Sequence, residues 1–116
     1  MNLERDVDRW VLQELVTYYF GLGSENMEFN VSTDHCGNLT IHASGKIPFI
    51  DELPLDELRR SLNNGRAAEV ELYYGQLAEV QQGEVNLQLL GDLIDWGKVT
   101  IANDVLYISV FRNNNL

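Results

Sequence analysis

The amino-acid sequence predicts an α+β fold. The expected order is an N-terminal amphipathic helix, a β-hairpin, a short helix, then three to five mostly antiparallel strands forming one curved sheet with the helices on one face. Three observations predict it. Apolar residues recur at helical spacing over residues 3–22, and they alternate with polar residues on both sides of a turn-rich loop at 34–38. The later alternating segments are joined by connections too short for the crossovers that a parallel sheet requires.

The first helix is read from Leu3, Val7, Trp10, Val11, Leu15, Tyr18 and Leu22, spaced by three and four, with Glu14 as the polar exception. Glu4, Asp6 and Asp8 suit the positive end of its dipole, and Gly21 and Gly23 stop it. Tyr18, Tyr19 and Phe20 are consecutive, so they cannot all face one core. One or two of them must face something else.

A hairpin follows. Met27, Phe29 and Val31 alternate with Glu28, Asn30 and Ser32; beyond Asp34-His35-Cys36-Gly37-Asn38, Leu39, Ile41 and Ala43 alternate with Thr40, His42 and Ser44. Residues 54–63 form a short helix, with Pro54 in its first turn and Leu55, Leu58 and Leu62 as its stripe. Asn63-Asn64-Gly65 ends it. Thereafter Val70, Leu72 and Tyr74 alternate, as do Val85, Leu87 and Leu89, and Val99 and Ile101 lead through an Asn103-Asp104 turn into 105–111. Segments 76–82 and 89–96 fit either a strand or a helical turn.

With 116 residues the chain has the size of one domain, since a second core would be too small to hold. That domain is expected over 1–112, with 113–116 as a flexible C-terminal tail. Hydrophobic residues make up 45% of the chain and charged ones 22%, enough apolar surface to offset chain entropy.

Eighteen acidic residues against eight basic ones give a net charge of −10, and the basic residues are scattered along the chain. This argues against direct contact with nucleic-acid phosphates or an anionic membrane. No apolar run approaches the roughly 20 residues that span a bilayer. The opening residues resemble neither a signal nor a transit peptide. A single cysteine, Cys36, excludes an internal disulfide framework. The expected location is the cytoplasm.

No constellation defines a reaction. Asp34, His35, Cys36 and His42 are the one cluster of metal-type ligands, but they lack CxxC or HxxxH spacing. Cys36 beside His35 or His42 has no orienting acid or oxyanion donor in view. Asp92 and Asp95 flank a turn between Gly91 and Gly97, and Asp51, Glu52, Asp56 and Glu57 suit a helix start better than a calcium loop. Gly21 and Gly23 follow a helix, whereas a phosphate cradle precedes one. No catalytic residue, cofactor or metal is therefore assigned.

The last strand carries the strongest functional hint. Leu106, Ile108 and Val110 lie on one face of it, and Val105, Tyr107 and Phe111 on the other. A strand with one wet face should alternate more cleanly, and two modest helices cannot dry both sides of a sheet. The leading expectation is a small acidic interaction module without catalysis, self-associating as a dimer or larger, or bound to another protein. Its contact candidates are Tyr18, Tyr19, Phe20, Tyr73, Tyr107 and Phe111. Two alternatives stand beside it. One is an acidic decoy that docks on a basic or nucleic-acid-binding protein. The other is a ligand binder or enzyme with a pocket between the first helix and the sheet, lined by Trp10, Tyr18 and Trp96.

Overall fold

The computed structural model describes residues 3–67, 69 and 87–114. Helix α1 spans Leu3–Gly21, strands β1 and β2 span Glu25–Thr33 and Leu39–Lys46, and a 3-10 turn at Ile50–Glu52 leads into α2, Leu55–Leu62. A third helix, α3, covers Leu87–Asp92, before β3 at Trp96–Ala102 and β4 at Val105–Arg112. The expected α+β architecture is present. Its sheet is antiparallel throughout, in the order β1-β2-β4-β3.

The local signals explain most of these elements. Val7, Val11, Leu15 and Tyr18 are buried as one stripe of α1, joined by Tyr19 at its edge. Gly23, at φ +69°, adopts the left-handed conformation that lets the Ser24 N–H return to the Tyr19 carbonyl at 3.1 Å. In the β3–β4 connection Asn103 and Asp104 have φ of 54° and 65°. Two successive left-handed residues make the tight hairpin turn whose twist matches its strands, and Asn and Asp tolerate it best.

One segment departs from expectation. Leu87 and Leu89, read as alternating strand positions, lie in α3 instead. Tertiary packing decides the matter: Leu89, Leu90, Gly91, Leu93 and Ile94 are all buried, an apolar density that a half-wet strand could not satisfy. The ambiguous 89–96 segment thus begins as helix, turns, and enters β3 at Trp96. The strand expected at 70–74, the segment 76–82, Val85 and Tyr73 lie outside the described residues.

One end of the core face, where β4 finishes beside the start of β2, is tied by polar contacts. Arg112, only 2% exposed, donates from Nη1 to the Leu93 carbonyl at 2.8 Å and from Nε to Asn114 Oδ1 at 2.8 Å, and lies 3.9 Å from Asp8 Oδ1. Asn114 donates to Asp8 at 3.0 Å and to the Gly37 carbonyl at 2.9 Å. Arg66 donates to the Asn113 carbonyl at 2.7 Å. Asn113 and Asn114 therefore belong to the folded body and not to a loose tail, while Asn115 and Leu116 lie outside the described residues.

Tyr19 anchors α1 to the sheet. Its hydroxyl donates to the Leu106 carbonyl at 2.8 Å and approaches the Ala43 carbonyl at 3.3 Å. Burial, with Tyr18 adding to it, pushes the Tyr19 phenol far above its ordinary pKa, so the group remains a donor. Gly45 makes room for the ring, since a Cβ there would meet Tyr19 Cδ1 at 3.0 Å. Tyr19→Phe keeps the ring and loses the donor. We expect it to lower unfolding free energy by about 1 kcal/mol, measured by urea denaturation, with no change of fold.

Candidate functional site

Alternation gives each strand one residue per face, and the pairing registers lay out both faces. The core face carries Leu39, Ile41, Ala43, Val99, Leu106, Ile108 and Val110, in one cluster with the apolar stripes of α1, α2 and α3. The opposite face consists of four-residue rows: Ser32-Thr40-Phe111-Trp96, Asn30-His42-Ser109-Lys98 and Glu28-Ser44-Tyr107-Thr100, read from β1 to β3. None of these side chains belongs to the core cluster.

This open face is the candidate site. Trp96 is 45% exposed and Tyr107 43% exposed, while Phe111 is half-buried and stacks on Trp96 with ring centroids 5.6 Å apart and planes at 17°. The aromatics occupy β4 and β3. Over β1 and β2 the side chains are shorter and polar, and a concavity of about 680 Å3 opens there, bordered by Glu28, Asn30, His42, Ser44, Tyr107 and Ser109 among others. Within it the His42 Nδ1 and the Ser109 Oγ are 2.7 Å apart, a cross-strand hydrogen bond. The face is thus a ridge beside a groove.

Its charge differs from that of the whole molecule. The rows carry Glu28 and Lys98, and Lys46 pairs in register with Glu25 at the sheet's end. Exposed acids lie elsewhere as well, at Asp34, Asp51, Glu52, Asp56, Glu57 and Asp104, spread over the loops and α2. A protein of net charge −10 therefore has one nearly neutral aromatic face.

The six contact candidates divide. Tyr107 and Phe111 are on the open face. Phe20 is 65% exposed but lies at the end of α1, away from it. Tyr18 and Tyr19 are core residues, 6% and 0% exposed, so they offer no contact surface; the helix rotates them inward and Phe20 outward. Tyr73 is not among the described residues. Trp96, not among the six, also stands on the open face. Its position in β3 opposite Phe111 is the signal that places it, and that needs the register.

The pocket expected from Trp10, Tyr18 and Trp96 does not form, because Trp96 projects from the sheet face opposite to the helices while Tyr18 and Trp10 pack into the core. The ligand-type cluster also separates. Asp34, His35 and Cys36 border a polar concavity of about 410 Å3 with Arg5, Asp8 and Asn114, whereas His42 belongs to the sheet face. Asp34 there accepts from the N–H groups of Cys36 at 2.9 Å and Asn38 at 3.0 Å, and the Asn38 bond leads in holding its carboxyl below the ordinary range. This is an Asx-type turn closed by Gly37 at φ +87°. Among the described residues no three His, Cys, Asp or Glu side chains form a metal-binding group, and no helix is long and apolar enough to cross a membrane.

No protein-family model, curated protein or solved structure matches the chain.

Proposed function

We propose that the protein is a small interaction module whose working surface is the open face of the sheet, contacted by protein. The observation that supports this is the solvent exposure of Trp96 and Tyr107 beside Phe111, on a face opposite to the one that the described helices pack against. Aromatic residues are the anchors of protein interfaces, because each buries a large rigid area at little cost in side-chain entropy. Near-neutral charge on that face suits the same role, since charged groups are depleted at interface centres. The His42–Ser109 pair is a cross-strand bond within the surface, and on this reading it serves the specificity of contact.

The test is a photo-crosslinking amino acid placed at position 96 or 107, compared with one at Asp56 on α2, in cells expressing the protein. Adducts identified by mass spectrometry should form from positions 96 and 107 and not from 56. Adducts from 56 alone, or from none of the three, would overturn the reading.

A further inference from the structure

Resting on that reading, we infer that the partner is a second copy of this chain, packed sheet-on-sheet about a two-fold axis that runs parallel to the strands. The open face is complementary to itself under this operation and not under the obvious alternative.

The strand order β1-β2-β4-β3 is what matters. An axis parallel to the strands, lying between two facing sheets, reverses that order while keeping each row level. It places β1 over the partner's β3 and β2 over the partner's β4. Row by row, Trp96 then stands over the partner's Ser32, Phe111 over the partner's Thr40, and Tyr107 over the partner's Ser44. Each aromatic meets a serine or threonine. That is the large-against-small alternation by which facing layers interdigitate. The ridge of each copy enters the groove of the other, and Tyr107 is directed at the concavity that Ser44 helps to line. An axis perpendicular to the strands would lay β4 on β4 and set ridge against ridge.

Charge agrees with shape. The same operation brings Glu28 of β1 above the partner's β3, level with Thr100 and one row from Lys98, about 7 Å along the strand and within a lysine's reach. Two such pairs arise by symmetry. The dispersed acids stay on the outer surfaces, so two molecules of charge −10 meet on their least charged side.

Area agrees as well. Four strands about 4.8 Å apart, each of eight residues rising about 3.3 Å, present roughly 500 Å2 before side-chain relief. The total of roughly 1,000 Å2 stands at the threshold for a biological interface, the size of a weak and reversible dimer.

The experiment is sedimentation equilibrium on purified wild type, Glu28→Lys, Lys98→Glu, the double variant and an equimolar mixture of the two single variants. Both positions are exposed, and circular dichroism checks that each variant folds. Each single variant places like charges together twice and should weaken the dimer about tenfold or more. The double variant should regain it. The mixture should form a heterodimer, because one chain then carries both lysines and the other both glutamates. Single variants that dimerise like wild type, alongside a Tyr107→Arg variant that does not, would overturn this geometry while leaving the face as the contact surface. A wild type that remains monomeric at millimolar concentration would overturn self-association, and adducts to a different protein at positions 96 and 107 would then identify another partner.

Discussion

Replacing Gly91 with alanine should destabilise the fold by about 2 kcal/mol, despite inserting a better helix former. In α3, Gly91 is buried against the last turn of α2. A Cβ there would land well inside contact distance of the Ser61 carbonyl oxygen and 2.9 Å from its carbon. Backbone cannot rotate aside as a flexible side chain can, so the two helices must separate. Alanine gains about 1 kcal/mol in helix propensity, whereas overpacking a crossing where the clash is with backbone costs about 3 kcal/mol, the top of the usual range. Separation would also loosen Leu58, Leu62, Leu90 and Leu93, all buried at or beside the crossing. Overpacking should win. Thermal unfolding should show a fall of roughly 10 °C for a domain of this size. An unchanged midpoint would mean that the α2–α3 crossing is looser than described.

Arg112→Leu should cost about 3 kcal/mol, the largest effect expected of a charged residue. The guanidinium is buried and holds the Leu93 carbonyl, Asn114 and Asp8 together. Leucine fits much of the space but strands these acceptors, and removing one member of a buried ion pair typically costs about 3–5 kcal/mol. The estimate lies at the low end because Asp8, 17% exposed at its side chain, keeps the Asn114 amide. Asp8→Asn should cost less, since its amide oxygen can still accept. Urea unfolding of both variants measures the difference; a larger loss from Asp8→Asn would reverse the roles assigned here.

Much of the fold was legible in the chain. Val7, Val11, Leu15 and Tyr18 gave α1 its buried stripe, and Asn103-Asp104 marked the β3–β4 turn because two left-handed residues favour those side chains. The two apolar faces of β4 were legible for the same reason: strand periodicity is two and needs no partner to be read. What failed depended on tertiary context. Leu87 and Leu89 alternate like a strand, and only the fit of Gly91 against Ser61 and the burial of Leu90, Leu93 and Ile94 make them helical. Tyr18 and Tyr19 could not be sorted from Phe20 without knowing how α1 rotates on the sheet. Arg112 reads as a strand-end surface charge; its burial follows from Asp8, a residue of the opposite terminus.

The site was half legible. Tyr107 and Phe111 follow from alternation in β4 alone. Trp96 joins them only through the pairing of β3 with β4, and the groove beside them only through the pairing of β1 with β2. Neither register is written in local sequence. Val31 shows the same limit: it follows the core-facing parity of its strand yet is 48% exposed, because β1 lies at the sheet's edge.

The two tryptophans provide the most direct measurement. Trp96 lies on the open face and Trp10 packs beside the core on α1, so their indole N–H signals in a nitrogen-15 correlation spectrum report on opposite sides of the molecule. Raising the protein from micromolar to millimolar concentration should shift the Trp96 signal progressively and leave Trp10 in place. A Trp96 signal that does not move over that range, or a Trp10 signal that moves instead, would contradict association through the sheet.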